Sequence, residues 1–502
     1  MKKYLLGIDI GTSACKVAIF DKAGTLIESG AGDYPVYYPK EGWAEQNPDE
    51  WWVAVCQATK ELFKKCDIRP EEIAGIGVDG QSWSAIPISA AGEVLCNTPI
   101  WMDTRADKIC EEVKKKVPEE EIFAVCGNPF VPSYTTPKIL WYKEARPELY
   151  AQIDKVLQSN SFIVFKLTDQ YSQDMSQGYG LHCFDMRKGT WDAQMCEKLG
   201  IPLSFLPEIY PCHQVVGTVT EKAAKETGLA LGTPVVAGGL DACCGTLGAG
   251  VIHEGETQEQ GGQAGGMSIC IDEYHADERL ILSYHVVPDK WLLQGGTTGG
   301  GGVMRWLHRE FGKYEDLRKD ELGKGALVQF NDLAEVVPPG SEGLIFLPYM
   351  AGERSPLWDP RAKGIFYGLD FSKTKGHFIR AAMEGVAFSL RHNLEVAKEA
   401  GVSVKVMKAI GGSANSLLWT QIKADITGKP IVVPYSDAAT TLGACILAGV
   451  GVGLYESFEE AVALTVRETR SHEPNLDNKE IYDENFAKYL AIYQNLKTVM
   501  DD

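Results

Sequence analysis

The sequence contains no run of about 18 apolar residues, so no membrane-spanning helix is expected. It is also short of positive charge: 49 lysines and arginines stand against 68 aspartates and glutamates, a formal charge of −19. A nucleic-acid backbone or an anionic membrane calls for a basic face, so neither is an expected partner. Nowhere do cysteines and histidines fall at zinc-ligand spacing. The 13 cysteines are odd in number and scattered, with Cys15, Cys56, Cys270 and Cys445 inside apolar stretches. They read as reduced core thiols and not as a disulfide framework. Residues 1–6 read as two lysines running straight into a strand, unlike a signal peptide. Both features point to a cytoplasmic location. Walker A and complete dinucleotide-binding spacings are missing, as are short-period repeats and low-complexity segments.

What is present has the balance of a globular protein: 502 residues, 45% hydrophobic and 23% charged. That length predicts two or three domains. Residues 4–10 are apolar, Gly11, Thr12 and Ser13 break the run, and 17–20 resume it before a turn at 21–24 leads into 25–27. Asn47, Pro48, Asp49 and Glu50 predict a helix start: asparagine as cap, proline in the first turn, acids at the positive end. Further strands are expected at 73–79, 234–237, 268–271, 291–294, 344–347, 406–410 and 431–433. Phe378, Ala382, Val386, Leu390 and Leu394 mark a buried helix stripe, and 441–450 predicts a small-residue helix packed closely on a neighbour. The alternation implies an α/β architecture in two halves, 1–248 and 249–502. The cleft between them is the natural ligand site.

Four patterns can carry chemistry. Asp9 ends the first strand, where a carboxylate can hold Mg²⁺; Gly11 lets backbone approach a phosphate, Thr12 and Ser13 offer hydroxyls, and Lys16 a point charge. A plain hairpin turn would use the same residues. Gly238, Gly239 and Leu240 then lead a strand through a glycine bend to Asp241. That carboxylate can accept a hydroxyl proton or, as such junctions more commonly do, cap a helix. Glycine clusters at 261–266, 299–302 and 411–412 suit the wall of a nucleotide site. Finally, Gln81, Ser82, Trp83, Trp101, Asp103 and Arg105 occupy two loops after strands. Amide, carboxylate and guanidinium groups hold sugar hydroxyls, while an aromatic covers the apolar face. The histidines, including His182, His213, His285 and His377, form no catalytic pairing in sequence and read as structural.

Taken in order, these residues resemble the FGGY carbohydrate kinases from residue 4 to about 452. The most specific stretch runs from Gly364, Ile365, Phe366, Tyr367, Gly368 and Leu369 through His377 and Phe378 to Ala381, Ala382, Met383 and Glu384. It is similar to the family's second signature at full length. Residues 133–144 resemble the first signature, with Lys138 and Trp141 in place and Tyr142 where another apolar residue is usual. Residues 346–356 are similar to a segment found before the second signature in members acting on xylulose.

The resemblance implies two actin-like (ribonuclease H-like) domains that close over ATP and a sugar. It implies Asp9 as the Mg²⁺-associated carboxylate, Gly11, Thr12, Ser13 and Lys16 at a first phosphate turn, and Gly262 and Gln263 at a second. Gly301, Gly412, Asn415 and Ser416 would surround ADP, and Asp241 would be the catalytic base. The acceptor would be a small ketose, xylulose foremost. Glycerol, erythritol, ribulose and fuculose are alternatives, as is a catalytically weak nucleotide-binding sensor; a homodimer is common among similar proteins. Two departures stand out. Members acting on xylulose usually carry Met-His after Gly-Gln, where this chain has Ser82 and Trp83. The second phosphate turn, usually Leu-Gly-Thr-Ser-Gly, is here Gly261, Gly262, Gln263, Ala264 and Gly265, without hydroxyls.

Overall fold

The computed structural model describes residues 3–435 and 438–500. Its first sheet comprises Tyr4–Ile10 (β1), Ala14–Asp21 (β2), Leu26–Asp33 (β3), Ile73–Gly80 (β4), Val215–Thr218 (β5), Pro234–Val236 (β6) and Gly239–Leu240 (β7). The order is β5-β6-β4-β1-β2-β3, and β7 pairs with β4 beyond β6. A second sheet comprises Glu256–Gly261 (β8), Gly265–Ile271 (β9), Ile281–Tyr284 (β10), Trp291–Thr297 (β11), Val406–Ile410 (β12), Ile431–Pro434 (β13) and Glu468–His472 (β14). Its order is β10-β11-β9-β8-β12-β13-β14.

The sheets share a core order. In each, an antiparallel meander feeds two parallel strands, β3-β2-β1-β4-β6 in one and β11-β9-β8-β12-β13 in the other. This is the ribonuclease H-like arrangement implied by the resemblance. The apolar stretch at 344–347 lies outside both sheets: Ile345–Leu347 pairs only with Ile365–Tyr367.

Helices cover the sheets. Pro48–Lys65 (α1) begins where Asn47 accepts the Asp49 N–H at 3.0 Å, and it buries Trp51, Val55 and Leu62. The others that matter to the site are Thr135–Ala145 (α2), Asp241–Gly248 (α3), Gly301–Phe311 (α4), Ala326–Glu335 (α5), Lys375–Glu399 (α6), Leu417–Thr427 (α7) and Ala439–Gly451 (α8). Although α8 comes late in the chain, it packs on β1, β4 and α3. A Cβ added at Gly77 would lie 1.9 Å from the Ala444 carbonyl oxygen, and one at Gly443 1.9 Å from that of Cys244. Backbone therefore meets backbone, which fixes the start of α3 against the ends of β1 and β4. All 13 cysteines are unpaired. Among the described residues, no helix is long and apolar enough to cross a membrane.

Candidate active site

Three carboxylates meet at one end of the first sheet. Parallel pairing sets Asp9 of β1 opposite Asp79 of β4, and β7 sets Gly239 beside Asp79, two residues before Asp241. On the other side of β1, antiparallel pairing sets Lys16 opposite Asp9. Asp9 and Asp79 are buried on the face that carries Gly7 and Gly77, because side chains two apart share a face. Burial raises the Asp9 carboxyl above its ordinary range; burial, then Asp9 and Asp241, raises Asp79. The two carboxylates hydrogen-bond each other, and no other group donates to either oxygen of Asp79 among the described residues.

Asp241 does not occupy the helix cap; Leu240 does. As the first helical residue, Asp241 accepts a 2.6 Å bond from the N–H of its neighbour Ala242. Burial first, and the Asp9 charge second, push its carboxyl up to about 7. A base with that affinity can take a proton near neutral pH.

Asp241 lines a cavity of about 240 Å³ between the halves, together with Gln81, Ser82, Trp83, Trp101 and Tyr179 from the first half and Gln258, Gln294 and Arg354 from the second. Trp83 sits in the left-handed region at φ 62°, its indole stacked on Tyr134 with centroids 4.2 Å apart. Lys138, on α2, donates 2.8 Å bonds to the carbonyls of Trp83 and Ile100, tying the two acceptor loops together. Burial draws its ammonium down to about 7. Gln81 donates to Gln46 at 2.8 Å, while its side-chain amide oxygen and the Trp83 indole nitrogen are buried with no partner among the described residues. Polar atoms of that kind on a cavity wall suit a polyhydroxylated ligand.

Two expected acceptor residues are not brought there. Asp103 is fully buried and accepts from the Ala44 N–H at 2.7 Å and from Arg105 at 2.9 Å. Arg105 also donates to Glu45 at 2.7 Å and stacks 3.9 Å from the Trp43 ring centroid. Their charges satisfy each other behind the wall. The guanidinium at the cavity belongs instead to Arg354, 5.7 Å from the Trp101 ring centroid and without an ion pair among the described residues. Thr12 also faces this cavity, its hydroxyl accepting from the Trp101 indole at 3.0 Å.

A second cavity, of about 360 Å³, is lined by Gly261, Gly301, Arg305, Asn331, Gly412, Asn415, Ser416 and Trp419. The expected residues Gly301, Gly412, Asn415 and Ser416 thus come together. Ser416 caps α7 by accepting from Trp419 N–H at 3.1 Å and donates to Asn331 at 3.1 Å. A Cβ on Gly412 would meet nothing within 4 Å, so its face is open, as a stacked base would need. Behind this wall Lys423 pairs with Glu259 at 2.6 Å and donates to Ser413 at 2.8 Å.

The β8–β9 turn separates the two cavities, Gly261 facing one and Ala264 and Gly265 the other. Gly302 N–H donates to the Gln263 carbonyl at 3.0 Å, which presses the 299–302 segment against the turn. The hydroxyls lost from this turn are not restored by Thr297, whose own donates to the Gly299 carbonyl at 3.1 Å. Backbone is what the turn offers: the N–H groups of Gly262, Gln263 and Ala264 donate to no acceptor among the described residues. Consecutive free amides form an anion-binding concavity. Gly11, Ser13 and Lys16 stand at the β1–β2 turn beside Asp9. No cluster of three or more His, Cys, Asp or Glu able to hold a metal is found among the described residues. Asp9 beside Asp79, two carboxylates with no other donor on Asp79 among the described residues, does fit Mg²⁺, which keeps several waters and takes further ligands from substrate phosphates.

Comparisons with known proteins agree with this geometry. Residues 4–248 match the N-terminal domain, and 274–452 the C-terminal domain, of the FGGY family of carbohydrate kinases. The chain is 31% identical to a xylulose kinase of Bacillus subtilis, over 99% of this chain and 97% of that protein. It is 32% identical to a gluconokinase of Bacillus licheniformis, over 100% of this chain and 97% of that protein. The crystal structure of xylulose kinase from Rhodospirillum rubrum superposes with a TM-score of 0.90 at 29% identity, covering 100% of both chains.

Proposed function

The chain belongs to the FGGY family of carbohydrate kinases and is a sugar kinase; on that premise we propose that it transfers the γ-phosphate of Mg-ATP to a hydroxyl of a small ketose, xylulose foremost. The observation that carries the reading is Asp241. It is a buried carboxylate raised to about 7, on the wall of a polar cavity that reaches the β8–β9 turn.

In this reading the acceptor lies among Gln81, Gln258, Gln294 and Arg354, with Trp83 and Trp101 against its apolar face. The acceptor oxygen attacks the γ-phosphorus as the bond to ADP breaks, and its proton passes to Asp241. The free amides at 262–264 hold phosphate oxygens. Asp9 would hold Mg²⁺, which when bound would offset charge on the phosphates. The division 1–248 and 249–502 follows the two roles: the first half supplies the acceptor loops and the base, the second the nucleotide wall and Arg354.

A second reading, a sugar acid as acceptor, is favoured by one observation, the guanidinium of Arg354 in the cavity, which forms no ion pair among the described residues. The similarity to a gluconokinase is consistent with it. Acceptor-dependent ADP release across ketoses, polyols and aldonates tests both. Turnover with D-xylulose above all others supports the first, and turnover with gluconate above all others the second. Turnover confined to glycerol, erythritol, ribulose or fuculose, or nucleotide binding without turnover, contradicts both.

A further inference from the structure

We propose that Asp79 joins Asp9 in a divalent-cation site that binds Mg²⁺ before ATP arrives. The two carboxylates sit directly opposite each other on adjacent parallel strands, and their side chains share one face. Asp79 is fully buried, yet no group other than Asp9 donates to either of its oxygens among the described residues. This is not how the chain treats its other buried carboxylates. Asp174, equally buried, accepts from Asn160 at 2.9 Å, Ser176 at 2.6 Å and the Gln177 N–H at 2.9 Å. Asp103 is satisfied by the Ala44 N–H and Arg105.

A buried carboxylate whose only hydrogen-bond partner is a second buried carboxylate is costly: Asp79 and Asp9 bond each other only by sharing a proton, and the Lys16 charge offsets them without pairing. Lys16, the nearest cation in register, is exposed and forms no ion pair with either aspartate among the described residues. A hard cation is the partner that fits. Neighbouring strands lie about 4.8 Å apart, so one ion can be shared between side chains that leave them on the same face. Magnesium needs only one or two carboxylates, water filling the rest of its octahedron. With Asp9 alone, the ion would come mainly with the nucleotide; with both, it binds the empty enzyme. The inference rests on the kinase reading only for the choice of Mg²⁺ as the ion.

Manganese titration of the full-length, nucleotide-free protein, followed by electron paramagnetic resonance of free Mn²⁺, tests it. The wild type is expected to bind Mn²⁺ at one saturable site from which excess Mg²⁺ displaces it. Asp79→Asn should weaken that binding by about tenfold or more. A wild type that binds no Mn²⁺ without nucleotide overturns the inference, as does an Asp79→Asn protein that titrates like the wild type. If Asp79→Asn does not fold, Asp79→Ser takes its place. Failure here is separable from failure of the kinase reading. A chain that binds Mn²⁺ but phosphorylates no sugar contradicts only the latter, and one that phosphorylates a sugar but binds no Mn²⁺ without ATP contradicts only the former.

Discussion

Lys138 donates a 2.8 Å hydrogen bond from its buried ammonium to the carbonyl oxygen of Trp83, and holds the Ile100 carbonyl at the same distance. Lys138→Met would leave the buried Trp83 carbonyl without a donor, at roughly 1–3 kcal/mol, and the Ile100 carbonyl with only the Asp103 N–H. The expected result is a lower melting temperature and a KM that rises more for the acceptor than for ATP, because both loops belong to the acceptor cavity. Steady-state kinetics with each substrate varied in turn checks this; equal rises would contradict it.

Asp241 makes activity and stability run in opposite directions with pH. Only its ionised form accepts a proton, so kcat/KM for the acceptor should rise through about pH 7, where burial and the Asp9 charge have pushed the carboxyl. The unfolded carboxyl titrates near about 3.9. Between those values the folded state holds more protons, so this group's contribution to stability falls as pH rises. Asp241→Asn removes the titration, and its melting temperature should gain on the wild type from about pH 5 to about pH 8. A gap that stays constant or shrinks across that range would count against the assignment.

Arg354 forms no ion pair among the described residues, and in the proposed function its cavity partner is the acceptor. Hydrogen bonds to charged groups contribute about 1.5–3 kcal/mol, so Arg354→Met should raise the acceptor KM by roughly 10- to 100-fold. Arg354→Lys should recover only part of this, because an ammonium cannot reproduce the guanidinium fork. Kinetics that leave the acceptor KM unchanged would remove Arg354 from the site.

Glu259 and Lys423 form a buried ion pair that also anchors Ser413, next to the open face of Gly412. Lys423→Met strands a buried carboxylate, at about 3–5 kcal/mol. Denaturant melts should show that loss, and the KM for ATP should rise. Adding Glu259→Gln should restore part of the stability, since the charge is gone. A double variant no more stable than the single would contradict the pair.

Much of the fold was legible because it is written locally. Asn47 and Pro48 start α1, apolar runs broken by glycine make the β1–β2 meander, and the small residues at 441–450 announced a helix that rests on backbone. Asp241 was harder, since a strand-to-helix aspartate is more commonly a cap; its place one residue past the cap is visible only in the fold. The acceptor wall was misread where chemistry had already been used up. Asp103 and Arg105 have the groups that bind sugars, but two residues apart they satisfy each other. Arg354 and Asp79 were missed for the converse reason. Arg354 comes from the opposite half of the chain, and Asp79 matters only through the parallel register that sets it beside Asp9.

The most direct test of the central claim is acceptor-dependent ADP release by the wild type and by Asp241→Asn over the sugar panel. Robust turnover with a small ketose or sugar acid is expected, with a loss of about 10²- to 10⁴-fold in the folded variant. ADP release that no acceptor stimulates, or a near-normal rate in Asp241→Asn, would contradict it.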